Sequence, residues 1–177
     1  EIECPHCQFL PGYALFDEPA EEAWKRGCDS MAYLADVAAS YGIDIAIEPS
    51  PSSWAIIDST KKGAQMLKEI NSPGLTGLID TVCVQMMGET IEQAIAEYGI
   101  ENVKHVHFSD AGDLENTNDW SNRALGKGTM DMERFVRAFD EAGYTGTFGL
   151  ELFGGAYEYD PEPWMQHQIK WCEERFA

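Results

Sequence analysis

The chain has 177 residues, 44% apolar and 11% aromatic, which is enough for one folded domain over residues 1–177 and too apolar for a disordered segment. Its 31 acidic and 12 basic residues leave a net charge of −19, which repels a phosphate backbone or an anionic bilayer and argues against nucleic acid and membrane as partners. No apolar run nears the ~20 residues of a membrane span, the first residues lack the basic and apolar stretches of a secretory leader, and five scattered cysteines fit a reduced, cytoplasmic setting.

The first motif is Cys4-Pro5-His6-Cys7, a C-x-x-C spacing. In a thioredoxin-like thiol oxidoreductase it would follow a strand and open a helix, but only three residues precede it here and Pro11-Gly12 soon interrupts any helix. A helix is expected near Ala20–Tyr41, ended by Gly42. Ile43–Glu48 (IDIAIE) reads as a strand, Ser59–Ile70 as a helix with Ala64, Leu67 and Ile70 on one face, and Leu75–Asp80 (LTGLID) as a second strand. Thr90–Tyr98 follows as a helix closed by Gly99, then Val103–Phe108 (VKHVHF) as a third strand. The polar, Gly-containing stretch Ala111–Gly128 is a candidate substrate lid. Met130–Ala142 is a helix, Thr147–Leu152 (TFGLEL) a fourth strand, and Pro163–Phe176 a last helix with proline in its first turn. Alternating strands and helices specify a parallel sheet with crossover helices, either a closed barrel or an open doubly wound sheet.

Each of the four strands ends on or just before a good metal ligand: Glu48, Asp80, His107 and Glu151. The C-terminal ends of parallel strands carry the active site in such folds. Four ligands from four strand ends meet at a point only if the sheet curves around it, which favours the barrel. Glu48 to Asp80 and Asp80 to His107 are each about 30 residues, one unit of an eight-unit barrel. A single acidic residue at a strand end is usually a cap or a surface group. Four in register are harder to dismiss, because Asp80 and Glu151 lie in apolar strands where an unpaired carboxylate is costly. Three carboxylates and an imidazole suit Mn²⁺, with Mg²⁺ or Co²⁺ as alternatives.

These pieces resemble the C-terminal part of the sugar phosphate isomerase/epimerase superfamily, the xylose isomerase-like TIM barrels, and within it the ketose 3-epimerases of the fructoselysine 3-epimerase type. IAIEP around Glu48, GLIDTV with Gly88-Glu89, KHVHFSD, LGKGTMD and AGYTGTFGLELF match in order over roughly residues 30–177. The resemblance implies a (β/α)8 barrel of which this chain supplies the last four or five β/α units. It implies a divalent metal held by Glu48, Asp80, His107 and Glu151, with Glu48 and Glu151 as an acid/base pair. The activity implied is epimerisation or isomerisation of a small-molecule sugar or sugar derivative, by proton transfer beside a carbonyl through an enediolate. His105 points the same way as His107 along its strand and is a candidate substrate or supporting group; a packing role is as good a reading. Arg123 and Trp54 are candidate substrate contacts, each weighed against a plain loop role, and His6 would line the pocket if the C-x-x-C stretch lies on a barrel strand.

Two departures stand out. Many ketose 3-epimerases carry a substrate-touching histidine three residues after the aspartate, where this chain has Cys83. About 90 residues of barrel lie outside the matched part, and a half barrel exposes sheet edges, so a homo-oligomer or a partner chain completing the barrel is expected. The catalytic subunit of a C-glycoside deglycosidase, on the same fold, is the alternative reading.

Overall fold

The computed structural model describes residues 3–112, 121–153 and 155–176. Five parallel strands, β1 (His6–Phe9), β2 (Asp44–Ile47), β3 (Leu75–Asp80), β4 (Val103–His107) and β7 (Thr147–Gly149), form one sheet in that spatial order. Between them run α1 (Ala20–Ala39), α2 (Thr60–Ile70), α3 (Thr81–Met86), α4 (Ile91–Tyr98) and α5 (Met132–Glu141). A two-stranded antiparallel pair, β5 (Asp110–Ala111) with β6 (Asn122–Arg123), follows β4, and α6 (Gly155–Tyr159) and α7 (Pro161–Glu173) follow β7.

The sheet is curved. A flat sheet would hold β1 and β7 roughly 19 Å apart, four strand spacings of about 4.8 Å. Instead His6 Nε2 of β1 lies 3.2 Å from Thr147 Oγ1 of β7. The strands therefore stand as staves of a barrel, with side chains from the first and last meeting inside it.

Helix faces explain the outer layer. Ala23, Gly27, Met31 and Ala35 recur every four residues along α1 and are its buried residues. This stripe packs with Ile45 and Ile47 of β2, with Ile56 and Ile57 of the loop before α2, and with Met66 of α2. A second cluster joins Val106, Phe108, Phe135, Phe139 and Trp171, with Phe148 edge-on to Phe108 and Phe139. Tyr98 packs closely over Gly63, where a Cβ would stand 2.0 Å from the tyrosine hydroxyl. That hydroxyl is buried without a hydrogen-bond partner among the described residues.

Most expected elements appear within a residue or two. Ser59 caps α2 by accepting from the Lys62 amide at 3.3 Å, and Thr90 and Gln93 form a reciprocal capping box on α4. Three differences have physical causes. The segment TVCVQM forms α3 despite its β-branched residues, because Asp80 caps it through the Cys83 amide at 2.7 Å. The fourth expected strand pairs only over Thr147–Gly149, so Glu151 sits two residues beyond it. The thiol oxidoreductase alternative is overturned: Cys7 lies inside strand β1, the motif opens no helix, and Cys4 and Cys7 are free and exposed. The middle of the expected lid, residues 113–120, lies outside the described residues, while its flanks pair as β5 and β6. No helix among the described residues is long and apolar enough to cross a membrane.

Candidate active site

The four strand-end residues converge. His107 Nδ1 lies 3.0 Å from Glu48 Oε1, 3.4 Å from Glu151 Oε2 and 3.6 Å from Asp80 Oδ2. Ligand atoms of Asp80, His107 and Glu151 all fall within 4.8 Å of one another, and so do those of Glu48, Asp80 and Cys83. Register explains the meeting: Asp80 and His107 are paired partners on β3 and β4, and His107 pairs with Gly149 on β7.

Two of the carboxylates are held by a neighbour, and Glu151 is held through its backbone. Asp80 uses Oδ1 to cap α3, which turns Oδ2 toward the imidazole. Glu48 accepts a short hydrogen bond from the Gln8 side-chain amide on Oε2 and faces His107 with Oε1. The Glu151 backbone carbonyl accepts from the Ser109 hydroxyl and from Asn122 Nδ2, the latter at 3.1 Å. Beneath the second loop, buried Asp110 accepts from the amides of Ala111 (2.8 Å), Gly128 (2.9 Å) and Met130 (3.1 Å). A Cβ at Gly128 would stand 1.9 Å from the Ala111 carbonyl oxygen, so the backbone can close on Asp110 only with glycine there.

Electrostatics follow from this crowding. Burial disfavours the charged form of His107, but the surrounding Asp80, Glu48 and Glu151 carboxylates outweigh it and raise its pKa to about 10. Burial is the main reason that Glu151 is pushed up to about 7; His107 opposes this and the other two carboxylates add to it. Burial, then the charges of Asp80 and Glu48, pushes the Cys83 thiol well above its ordinary range. His105 is lowered to about 4, chiefly by burial and then by His107 and His6.

A cavity of about 380 Å³ opens beside the cluster, lined by Gln8, Glu48, Asp80, Cys83, Asn122 and Glu151 among others. Cys83 is thus part of the same wall as Glu48, Asp80 and Glu151. His105 and His6 form a layer next to it: their rings are 5.0 Å apart, His105 is 5.2 Å from the His107 ring, and His105 Nδ1 lies 2.6 Å from Thr147 Oγ1. Arg123 sits in β6 next to cavity-lining Asn122. Trp54 is 56% exposed and lies on the loop between β2 and α2, its carbonyl accepting from the Ala14 amide at 2.8 Å; it is not brought into the cluster. The pattern of strand ends missed Gln8, Ser109, Asp110 and Asn122. Gln8 had a usable signal, two residues along from His6 on the same face of a strand.

The donor set fits a divalent cation. Glu48 and Asp80 are only 7% and 4% exposed, and three carboxylates face one imidazole. A single imidazolium leaves two negative charges unmatched; a divalent ion held by Glu48, Asp80, His107 and Glu151, which displaces that proton, would leave one.

Comparison with known proteins agrees with this architecture. A family model described as xylose isomerase-like TIM barrel matches residues 1–175. Mannonate dehydratase of Oceanobacillus iheyensis is 30% identical over 145 residues, which cover 76% of this chain and 40% of that protein. Fructoselysine 3-epimerase of Escherichia coli O157:H7 is 22% identical over 153 residues, covering 86% and 54%. The chain spans about half the length of the curated relatives it matches. Among solved structures, the IOLI protein with a binding zinc atom superposes with a TM-score of 0.78 at 20% identity, over 93% of this chain and 60% of that one. D-allulose 3-epimerase from Methylomonas sp. in complex with D-allulose superposes at 0.73 and 20%, over 93% and 59%. At such identities these two report the fold alone.

Proposed function

We propose a function from this premise: the chain belongs to the xylose isomerase-like TIM barrel family. Its reaction is epimerisation or isomerisation of a sugar or sugar derivative, by proton transfer at a carbon beside a carbonyl. The observation that carries the reading is the convergence of Glu48, Asp80 and Glu151 on His107 Nδ1 beside an open cavity. The relatives bearing epimerase and isomerase names support the reaction class.

A divalent cation bound there, Mn²⁺ in first place with Mg²⁺, Co²⁺ or Zn²⁺ as alternatives, would polarise the carbonyl and acidify the neighbouring C–H. The remaining work belongs to this chain. Glu151, on the cavity wall, takes the proton from one face. Glu48, oriented by Gln8, returns one to the other face. Asn122 and Cys83 line the cavity where the sugar hydroxyls would lie, with His105, His6 and Arg123 nearby. We further propose a cytoplasmic protein that works as a homo-oligomer or with a partner chain completing the barrel, since β1 and β7 each have one unpaired edge among the described residues.

A second reading rests on the 30% identity to a mannonate dehydratase. The same proton removal, beside a carboxylate and followed by loss of hydroxide, would dehydrate a sugar acid. One experiment separates the two. The protein is incubated with Mn²⁺ in deuterated water with a panel of ketoses and aldonic acids and followed by NMR. Epimerisation places solvent deuterium beside a ketose carbonyl, whereas dehydration gives a deoxy-keto acid. Glu48→Gln and Glu151→Gln should each lower exchange by about 10²-fold or more, and full exchange in both variants would remove them from the reaction.

A further inference from the structure

The cavity wall holds one donor that the four-ligand set does not use. Cys83 sits in the first turn of α3, three residues after Asp80, and its backbone amide donates to Asp80 Oδ1 at 2.7 Å. That bond fixes the side chain's origin relative to a metal ligand. Its sulfur lies within 4.8 Å of carboxylate oxygens of both Glu48 and Asp80, which are themselves within that distance of each other. Two donors on one zinc-like ion, with sulfur at about 2.3 Å and oxygen at about 2.1 Å, are separated by about 3.6 Å in a tetrahedral site and about 4.4 Å when opposite. Neighbouring donors at right angles, as a five-donor site requires, stand about 3.1 Å apart, so the Cys83 sulfur needs a shift of at most about 2 Å to share an ion with these carboxylates.

We propose that Cys83 is a fifth donor of the metal centre and raises its affinity for thiophilic and borderline ions such as Zn²⁺, Cd²⁺ and Co²⁺, while adding little to its hold on Mg²⁺ and Mn²⁺. The inference rests on the metal site proposed above. An imidazole at this position would offer a nitrogen, whereas a thiolate brings charge and a soft sulfur. On binding, the metal–sulfur bond forms as the S–H bond breaks, and the proton leaves to solvent. No oxidant or co-reactant is required.

Cobalt reports sulfur ligation directly. The full chain, free of metal, is titrated with Co²⁺. Sulfur coordination gives an intense charge-transfer band in the near ultraviolet besides the weak visible bands of the ion. The band should appear in the wild type, persist when exposed Cys4 and Cys7 are both changed to Ser, and vanish in Cys83→Ser. In competition titrations Cys83→Ser should weaken Zn²⁺ and Cd²⁺ by about tenfold or more while leaving Mn²⁺ within about twofold. Visible cobalt bands without a charge-transfer band in the wild type would overturn the proposal and leave the four-ligand site standing. A band that survives Cys83→Ser would also overturn it. No cobalt bound at all would overturn both readings.

Discussion

Protons and the cation compete for His107, and the competition can be measured. In the metal-free protein His107 holds its proton up to about pH 10, because three carboxylates crowd its Nδ1. To ligate an ion through that nitrogen the ring must lose the proton. At pH 8 the group sits about two units below its pKa, so deprotonation costs about 3 kcal/mol, or about 100-fold in affinity. Apparent affinity for Mn²⁺ should then rise about tenfold per pH unit between pH 7 and 9. Below about pH 7 protonated Glu151 adds a second displaced proton and steepens the dependence. Titration calorimetry in two buffers of different ionisation heat reads both the affinity and the protons released: about one per ion at pH 8, more below pH 7. An affinity flat from pH 7 to 9, with no proton release, would refute this account of the site. The linked stability has a definite sign. Both groups have folded pKa values above their ordinary values of 6.5 and 4.5, so the folded metal-free protein binds the extra protons. The stabilisation is complete below those ordinary values and is lost as pH rises through about 7 for Glu151 and about 10 for His107. The metal-free protein should therefore unfold at lower urea concentration at pH 9 than at pH 6.

Gln8→Leu removes the donor that orients Glu48 and should weaken Mn²⁺ binding by about tenfold or more, with little change in melting temperature; unchanged affinity would show that Glu48 needs no such support. Asp110→Ala strands three amide donors, those of Ala111, Gly128 and Met130, and should cost about 3 kcal/mol or more in urea unfolding. Tyr98→Phe deletes a buried hydroxyl that has no partner among the described residues, so it should be neutral or stabilising by about 1 kcal/mol; a clear loss of stability would mean that the hydroxyl is satisfied in solution.

What could be read in advance followed from pattern. Ile45 and Ile47 alternate with Ala46 and Glu48, and helices such as α2 and α4 carry caps and apolar stripes, so strands, helices and the four converging residues were legible from residue type and spacing. Strand β1 was not, because HCQF has no apolar alternation and is paired on one side only. Helix α3 was not anticipated: Thr81, Val82 and Val84 are β-branched, and the cap that Asp80 supplies shows only in three dimensions. Ser109, Asp110 and Asn122 were invisible for a different reason, and Gln8 had only its place two residues along from His6. A polar residue in a polar stretch carries no periodicity, and its partners lie far along the chain: Gln8 bonds Glu48, and Ser109 and Asn122 meet at the Glu151 carbonyl.

Asp80 serves two masters with two oxygens. One ends the strand-to-helix turn by holding the Cys83 amide, and the other faces His107. An asparagine could keep the turn but would surrender the negative charge, and a glutamate could keep the charge but would carry it one methylene past the amide. Architecture and chemistry are thus welded at this position, so exchange at Asp80 should be felt in folding and in ion binding together, whereas exchange at Glu151, which approaches from an irregular segment beyond its strand, can alter the second without the first.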